Sequence, residues 1–282
     1  MTVTYAVACP CQYLLKIAAV QQNRGKVVVG ILDGKRGLVI GIANDQSIAY
    51  GCARAFRDAG AELAVTYLND KARGFVEPLS EELDAGLFLP CDVREEGQVS
   101  AMFDAIADTW GGLDFLLHSI AFAPRDDLHG RVTDCSREGF EVAMNVSCHS
   151  FIRMARHAEP LMADGGALMT VSFYGAEKAV SSYNVMGPVK AALEASVRYM
   201  ATDLGAQGIR VYALSPGPLK TRAASGIDRF DELMEAAAQR APIHALVTLE
   251  QIGNLAAFLA SDDAAGMTGN VVYIDNGYNV VG

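Results

Sequence analysis

Val39-Ile40-Gly41-Ile42-Ala43-Asn44-Asp45-Gln46-Ser47-Ile48-Ala49 is the stretch on which the fold turns. An apolar run ends at Gly41, a polar loop follows, and Ser47 stands where a helix N-cap is expected. Beyond it Ile48, Cys52, Ala55 and Phe56 recur on one helical face, and Gly60 supplies the stop. The segment reads as strand, turn, helix, a junction where backbone N–H groups and the helix dipole attract an anion such as a pyrophosphate. Gly41 lets the chain turn, while Ser47 and Ala49 are small enough for close approach. A triple-glycine fingerprint is absent, so the weight comes from position: this is the first strand-to-helix turn of an alternating chain.

The alternation continues outward. Gly37–Gly41 is followed by strands expected at Leu63–Tyr67, Leu87–Cys91, Leu113–His118, Ala167–Ser172, Arg210–Leu214 and Val271–Ile274. Helical patterns fall between them: Val99, Met102, Phe103 and Ile106 on one face, then residues 136–163, Asn184–Leu204 and 249–260. Strands alternating with helices predict an α/β protein, a Rossmann-type doubly wound parallel sheet in a single domain over residues 34–282. Residues 1–33 read as an extension outside that core. The apolar run Leu14–Val20 within it is too short to span a bilayer and is interrupted by Lys16. Its basic residues Arg24 and Lys26 follow the apolar run, the reverse of a secretory signal.

Composition narrows the function. The chain has 282 residues, 51% of them hydrophobic, enough for one large core, and its net charge of −10 offers no basic field for nucleic acid or anionic lipid. Six cysteines are scattered without paired spacing, so no metal site is expected and a reducing cytoplasm is the simplest setting.

Ligands of open α/β sheets bind beyond the carboxyl ends of the strands. Candidate cofactor contacts there are Gly41, Ser47 and Ile48, Leu68 at the second strand tip, Asp92 and Val93 after the third, and Ser119, Ile120 and Ala121 after the fourth. Asp92 could accept a hydrogen bond from an adenine amino group, or simply start a helix. Thr66 to Lys71 places no acidic residue at the strand tip to hold a ribose 2′-hydroxyl, which leaves NADH against NADPH open.

Hydride reduction of a carbonyl or conjugated thioester needs a donor to the oxygen that gains charge. Two tyrosine–lysine pairs could supply it: Tyr174 with Lys178, three residues between, and Tyr183 with Lys190, six between. Lys190 leads a long amphipathic helix, whereas Tyr174 and Lys178 lie in the loop just after a strand. Pro188 is tolerable only in the first helical turn, which puts Tyr183 at the loop-to-helix junction. The second pair is therefore preferred.

From about Leu32 onward the chain resembles the short-chain dehydrogenase/reductase superfamily, and within it the bacterial enoyl-acyl-carrier-protein reductases. The stretches that carry the likeness are Ser47–Gly51, Thr66–Asp70, His118–Pro124, Tyr183–Gly187, Gly217–Thr221 and Ala223–Gly226. The resemblance implies a homotetramer that uses NADH to reduce trans-2-enoyl thioesters carried on acyl carrier protein in fatty acid biosynthesis. Tyr183 would hydrogen-bond the enolate oxygen and Lys190 would hold the nicotinamide ribose. Leu219 would offer its backbone to the carboxamide, Thr221 would sit near the pyrophosphate, and residues 222–241 would form a mobile lid. Candidate substrate contacts are Ala123, Met186, Phe230 and Leu233.

Some residues depart from the superfamily pattern. With Lys190 superposed on the superfamily lysine, Met186 takes the usual tyrosine position and Phe173 the usual catalytic serine position, which leaves an aromatic wall and removes a hydroxyl. Asn145 falls where relatives have a structural asparagine. Asp228, Asp231 and Glu232 make the lid acidic, with Lys220, Arg222, Arg229 and Arg240 nearby. An acidic carrier approaching it loses electrostatic steering. Two other readings stand beside the main one: a short-chain ketone or alcohol oxidoreductase, suggested by Ser215-Pro216-Gly217, and a non-catalytic nucleotide-binding paralogue, suggested by the acidic lid.

Overall fold

The computed structural model describes residues 30–180, 183–221 and 230–281. The chain divides into Met1–Gly30 and Ile31–Gly282, and the second unit carries everything below. Its strands are β1 Arg36–Ile40, β2 Glu62–Tyr67, β3 Leu87–Pro90, β4 Phe115–His118, β5 Gly166–Val171, β6 Ile209–Pro216 and β7 Asn270–Ile274. All pair in parallel, in the order β3-β2-β1-β4-β5-β6-β7. The order reverses between β1 and β4, so a crevice opens there at the carboxyl ends.

Helices α1 Ile48–Asp58, α2 Asp70–Glu82, α3 Glu96–Trp110 and the short α4 Arg125–Leu128 precede α5 Arg137–Met144. A π turn, Asn145–His149, joins α5 to α6 Ser150–Ala158, and α7 Met186–Leu204, α8 Phe230–Arg240 and α9 Leu249–Ala260 follow. Strand residues alternate between two cores. Leu38, Ile40, Leu116, Leu168 and Val211 face α3, α6 and α7, meeting Phe103, Ile106, Phe151, Met154, Leu193 and Val197. Val39, Leu63, Val65, Leu117, Met169 and Leu214 face α1 and α9, meeting Cys52, Phe56, Ile252 and Leu259. With both faces covered, the strands need no polar alternation. Each fully buried aliphatic or aromatic side chain contributes about 1.5–3 kcal/mol.

The structure corrects two local readings. Nothing was expected between β2 and β3, yet α2 forms there, capped by the Asn69 side chain accepting from Ala72 N–H at 3.0 Å. Its Pro78 and its two buried residues, Val76 and Ser80, hide the helical period. Ser47 does occupy the N-cap position of α1, but its side chain does not cap the helix. Its Oγ instead accepts from Ala43 and Asn44 N–H, both at 3.0 Å, and pins the preceding loop. Among the described residues no helix is long and apolar enough to cross a membrane.

Candidate functional site

The site is built where β1, β4 and β5 end side by side. Gly41 leaves β1 at φ +110°, a conformation costly for any residue with a Cβ, and a Cβ added there would lie 2.1 Å from the Ser119 carbonyl oxygen. The Gly41 and Ser119 loops are thus in direct backbone contact, reinforced by Ser119 N–H donating to the Ile40 carbonyl at 2.9 Å. Because Ser47 is turned toward its own loop, no described group accepts from the amides of Ile48 and Ala49 at the start of α1. Open N–H groups at the positive end of an 11-residue helix, beside a glycine, suit a dinucleotide pyrophosphate.

Along the same edge Leu68 lies half-exposed at the tip of β2, and Val93 is buried after β3. Asp92 is engaged: Arg94 forks onto its carboxylate, with 2.5 Å between Nη2 and Oδ2, and holds its carboxyl below the usual range. An adenine amino group would share an acceptor already in use. Ser119 and Ile120 are partly buried and Ala121 exposed, while Ala123 is buried. Leu219 and Thr221 are both partly buried beyond β6, linked by Thr221 N–H donating to the Leu219 carbonyl at 2.9 Å.

Each member of the preferred pair contacts the chain near the end of β5. Lys190 Nζ donates to the Val171 carbonyl at 2.6 Å, and the Phe173 ring, two residues further on, packs edge-on against Tyr183 with centroids 4.9 Å apart. Tyr183 is 8% exposed and Lys190 4%. Burial pushes the phenol well above its ordinary value, with the Glu194 charge adding to it, so the hydroxyl stays protonated at neutral pH. Among the described residues that hydroxyl has no hydrogen-bond partner. Burial pulls the Lys190 amine down to about 8, against the raising effects of Cys148 and Glu194. Pro188 falls in the first turn of α7, where its missing N–H costs nothing.

The competing pair is engaged differently: Tyr174 packs on Tyr278 at 5.2 Å and edge-on to Phe173 at 6.5 Å, and the Lys178 ammonium lies 5.9 Å over the Tyr174 ring. Met186 is buried at the start of α7, next to Tyr183 in the same core, and Leu233 is partly buried on α8. Arg222 to Arg229 and the Phe230 side chain lie outside the described residues. Of the acidic residues expected on a lid, Asp231 is paired with Lys220 at 3.8 Å, both largely exposed.

Several residues without a motif of their own support the site. Ser172 donates from Oγ to Glu194 at 2.5 Å, one turn beyond Lys190, and burial raises the Glu194 carboxyl. Asn184, in the left-handed region at φ +39°, donates to the Asp127 and His129 carbonyls, each at 3.0 Å, and ties the Tyr183 segment to α4. Glu194 was findable as a charge on the apolar face of α7; Asn184 gave no comparable signal.

Comparison with known proteins gives the same picture. Residues 41–279 match the family model described as enoyl-(acyl carrier protein) reductase. The chain belongs to that family. It is 47% identical over 253 residues to the enoyl-acyl-carrier-protein reductase [NADH] 1 of Rhizobium meliloti (strain 1021), covering 90% of this chain and 93% of that one. An NADH enoyl-acyl-carrier-protein reductase of Escherichia coli (strain K12) is also 47% identical, covering 89% of this chain and 97% of its own. A crystal structure of the Anaplasma phagocytophilum reductase in complex with NAD superposes with a TM-score of 0.87 at 47% identity, over 90% of this chain and 97% of that one. As a member of the enoyl reductase family, the chain has the doubly wound fold that the sequence pattern predicts.

Proposed function

We propose that this chain reduces the double bond of trans-2-enoyl thioesters carried on acyl carrier protein, with NADH as reductant. Bound NADH would supply the hydride that goes to the β-carbon, and a proton taken up from solvent at the α-carbon would complete the reduction. Gly41, Ser47, Ile48 and the Ser119–Ala121 loop would hold the cofactor, with Leu68, Asp92 and Val93 on its adenosine side and Leu219 and Thr221 beyond β6. Tyr183 donates its hydroxyl to the thioester oxygen as negative charge gathers there, a role suited to a phenol that burial keeps protonated. Lys190, fixed by the Val171 carbonyl, would present its amine to the cofactor ribose. Phe173 walls the site and holds the Tyr183 ring in one orientation. Ala123, Met186, Phe230 and Leu233 would contact the acyl chain.

The observation that carries this reading is a chain of contacts across three strands. Gly41 touches Ser119, His118 bonds Thr170, and Val171 holds Lys190. The cofactor loops and the amine thereby share one edge of the sheet. Family membership favours the enoyl reaction over the ketone or alcohol one, and Phe173, where a second hydroxyl would be needed, favours it again. Purified protein should oxidise NADH when given crotonyl or longer enoyl thioesters, and Tyr183→Phe should lose at least about a hundredfold in kcat/KM, the scale of one lost oxyanion donor. Wild-type protein that ignores enoyl thioesters and reduces ketones would overturn the assignment.

We further place the enzyme in the cytoplasm as a homotetramer. The four described cysteines, Cys52, Cys91, Cys135 and Cys148, are all free thiols. Phe140, Ile152 and Tyr199 leave apolar surface on α5, α6 and α7.

A further inference from the structure

The π turn between α5 and α6 aims two buried serines at the strand that carries the cofactor loop. Ser147 is fully buried, and its Oγ accepts from Phe122 N–H at 2.8 Å while donating to the Phe122 carbonyl at 3.0 Å. Ser150, 1% exposed, donates to the Val146 carbonyl at 2.7 Å and lies 2.7 Å from His118 Nε2. His118 is fully buried, which holds its imidazole neutral, so one ring nitrogen carries the proton. Nδ1 lies 3.1 Å from Thr170 Oγ1, whose hydroxyl also reaches the His118 carbonyl at 3.2 Å, so the ring is held from both sides.

These bonds fall on either side of Ser119, Ile120 and Ala121. One serine grips the residue before that loop and the other grips the residue after it. A π turn inserts one residue without ending the helix and is a frequent companion of functional sites. Regular α-helix in its place would turn everything beyond by about 100°, and Ser150 would leave His118. We propose that Ser147 and the Ser150–His118 pair are positioning residues, a clamp built on the π turn that holds Ser119–Ala121 in the shape that binds NADH. The inference rests on the functional reading above for the identity of the ligand alone.

The test is NADH binding by calorimetry on the purified full-length chain, with a melting temperature for each variant. Ser147→Ala and Ser150→Ala release opposite ends of the loop. Ser261→Ala is the control, a serine 1% exposed whose Oγ donates to the Phe258 carbonyl at 2.7 Å at the end of α9. The clamp predicts about tenfold weaker NADH binding in each of the first two variants and a change under about twofold in the control, with similar losses of melting temperature in all three. Binding within about twofold of wild type in both clamp variants, with melting temperature alone reduced, would overturn it. Should Ser147→Ala not fold, Ser150→Ala decides by itself. Turnover plays no part in this measurement, so wild-type protein that binds NADH but ignores enoyl thioesters refutes the proposed reaction and leaves the clamp to be judged by its own numbers.

Discussion

Replacing Lys190 with methionine should separate what the site needs from what the fold needs. The amine is 4% exposed, and burial pulls it from 10.5 to about 8. That 2.5-unit displacement, at about 1.4 kcal/mol per unit, makes the ammonium cost about 3 kcal/mol of folding free energy at pH 7. The folded value lies below the unfolded one, so this group's stability is fully present above about pH 10.5 and is lost as pH falls through about 8. Methionine is similar in length and carries no charge, so it escapes the cost but gives up the 2.6 Å bond to Val171, about 1.5–3 kcal/mol for a charged donor. The two effects nearly cancel at pH 7. The pH dependence does not cancel: about 2 kcal/mol of the ammonium cost is gone by pH 9.5. At about 2–4 °C per kcal/mol, wild type should gain about 4–8 °C on Lys190→Met between pH 7 and pH 9.5. Taking the difference between the two proteins removes titrations they share, and Cys148 and Glu194, which face the amine, enter it only through their coupling to Lys190. Thermal melts at both pH values supply the stability numbers, and NADH oxidation with crotonyl thioester supplies the activity, expected to fall at least about a hundredfold. An unchanged gap between the melting temperatures at the two pH values would refute the reasoning, because the lysine would then not be a buried, reluctant cation.

Other consequences are simpler. Gly41→Ala puts a Cβ 2.1 Å from the Ser119 carbonyl at φ +110°, which should cost at least about 2 kcal/mol, lower the melting temperature by about 4–8 °C and weaken NADH binding at least tenfold; an alanine variant that binds NADH like wild type would show the two loops to be independent. Ser172→Ala removes the donor to the buried Glu194 carboxylate and should cost about 1–3 kcal/mol in denaturant unfolding. Adding Glu194→Gln should return most of that loss, since a neutral amide needs less solvation, and no recovery would mean that Ser172 acts through something other than Glu194. Asn184→Gly should keep the backbone turn at φ +39° yet loosen the tie to Asp127 and His129, so KM for the enoyl thioester should rise several-fold while NADH binding holds; equal losses for both ligands would count against a local role.

Long-period features were legible in the sequence and short-range geometry was not. The strand runs are apolar because both sheet faces are covered, so Gly37 to Gly41 and Leu113 to His118 declared themselves as buried strands within a residue or two. The start of α7 was legible because Pro188 is tolerated only in a first helical turn. By contrast α2 buries only Val76 and Ser80 and contains Pro78, so its apolar stripe is too thin to read. Ser47 gave the right position and the wrong partner, since a cap serine and a loop-pinning serine look alike in sequence. The π turn leaves no trace in the apolar pattern, because a single wide turn shifts hydrogen-bond register without changing which residues are hydrophobic. Ser147 and Ser150 drew no notice for that reason.

The central claim is that the Tyr183 hydroxyl and the Lys190 amine converge on one cofactor ring, and a crystal structure with NAD and an unreactive enoyl thioester analogue tests it most directly. The account predicts the Tyr183 oxygen within about 2.6–3.2 Å of the thioester carbonyl oxygen, and Lys190 Nζ at a similar distance from the nicotinamide ribose. A nicotinamide bound beside Tyr174 and Lys178, or turned away from the end of β5, would contradict it.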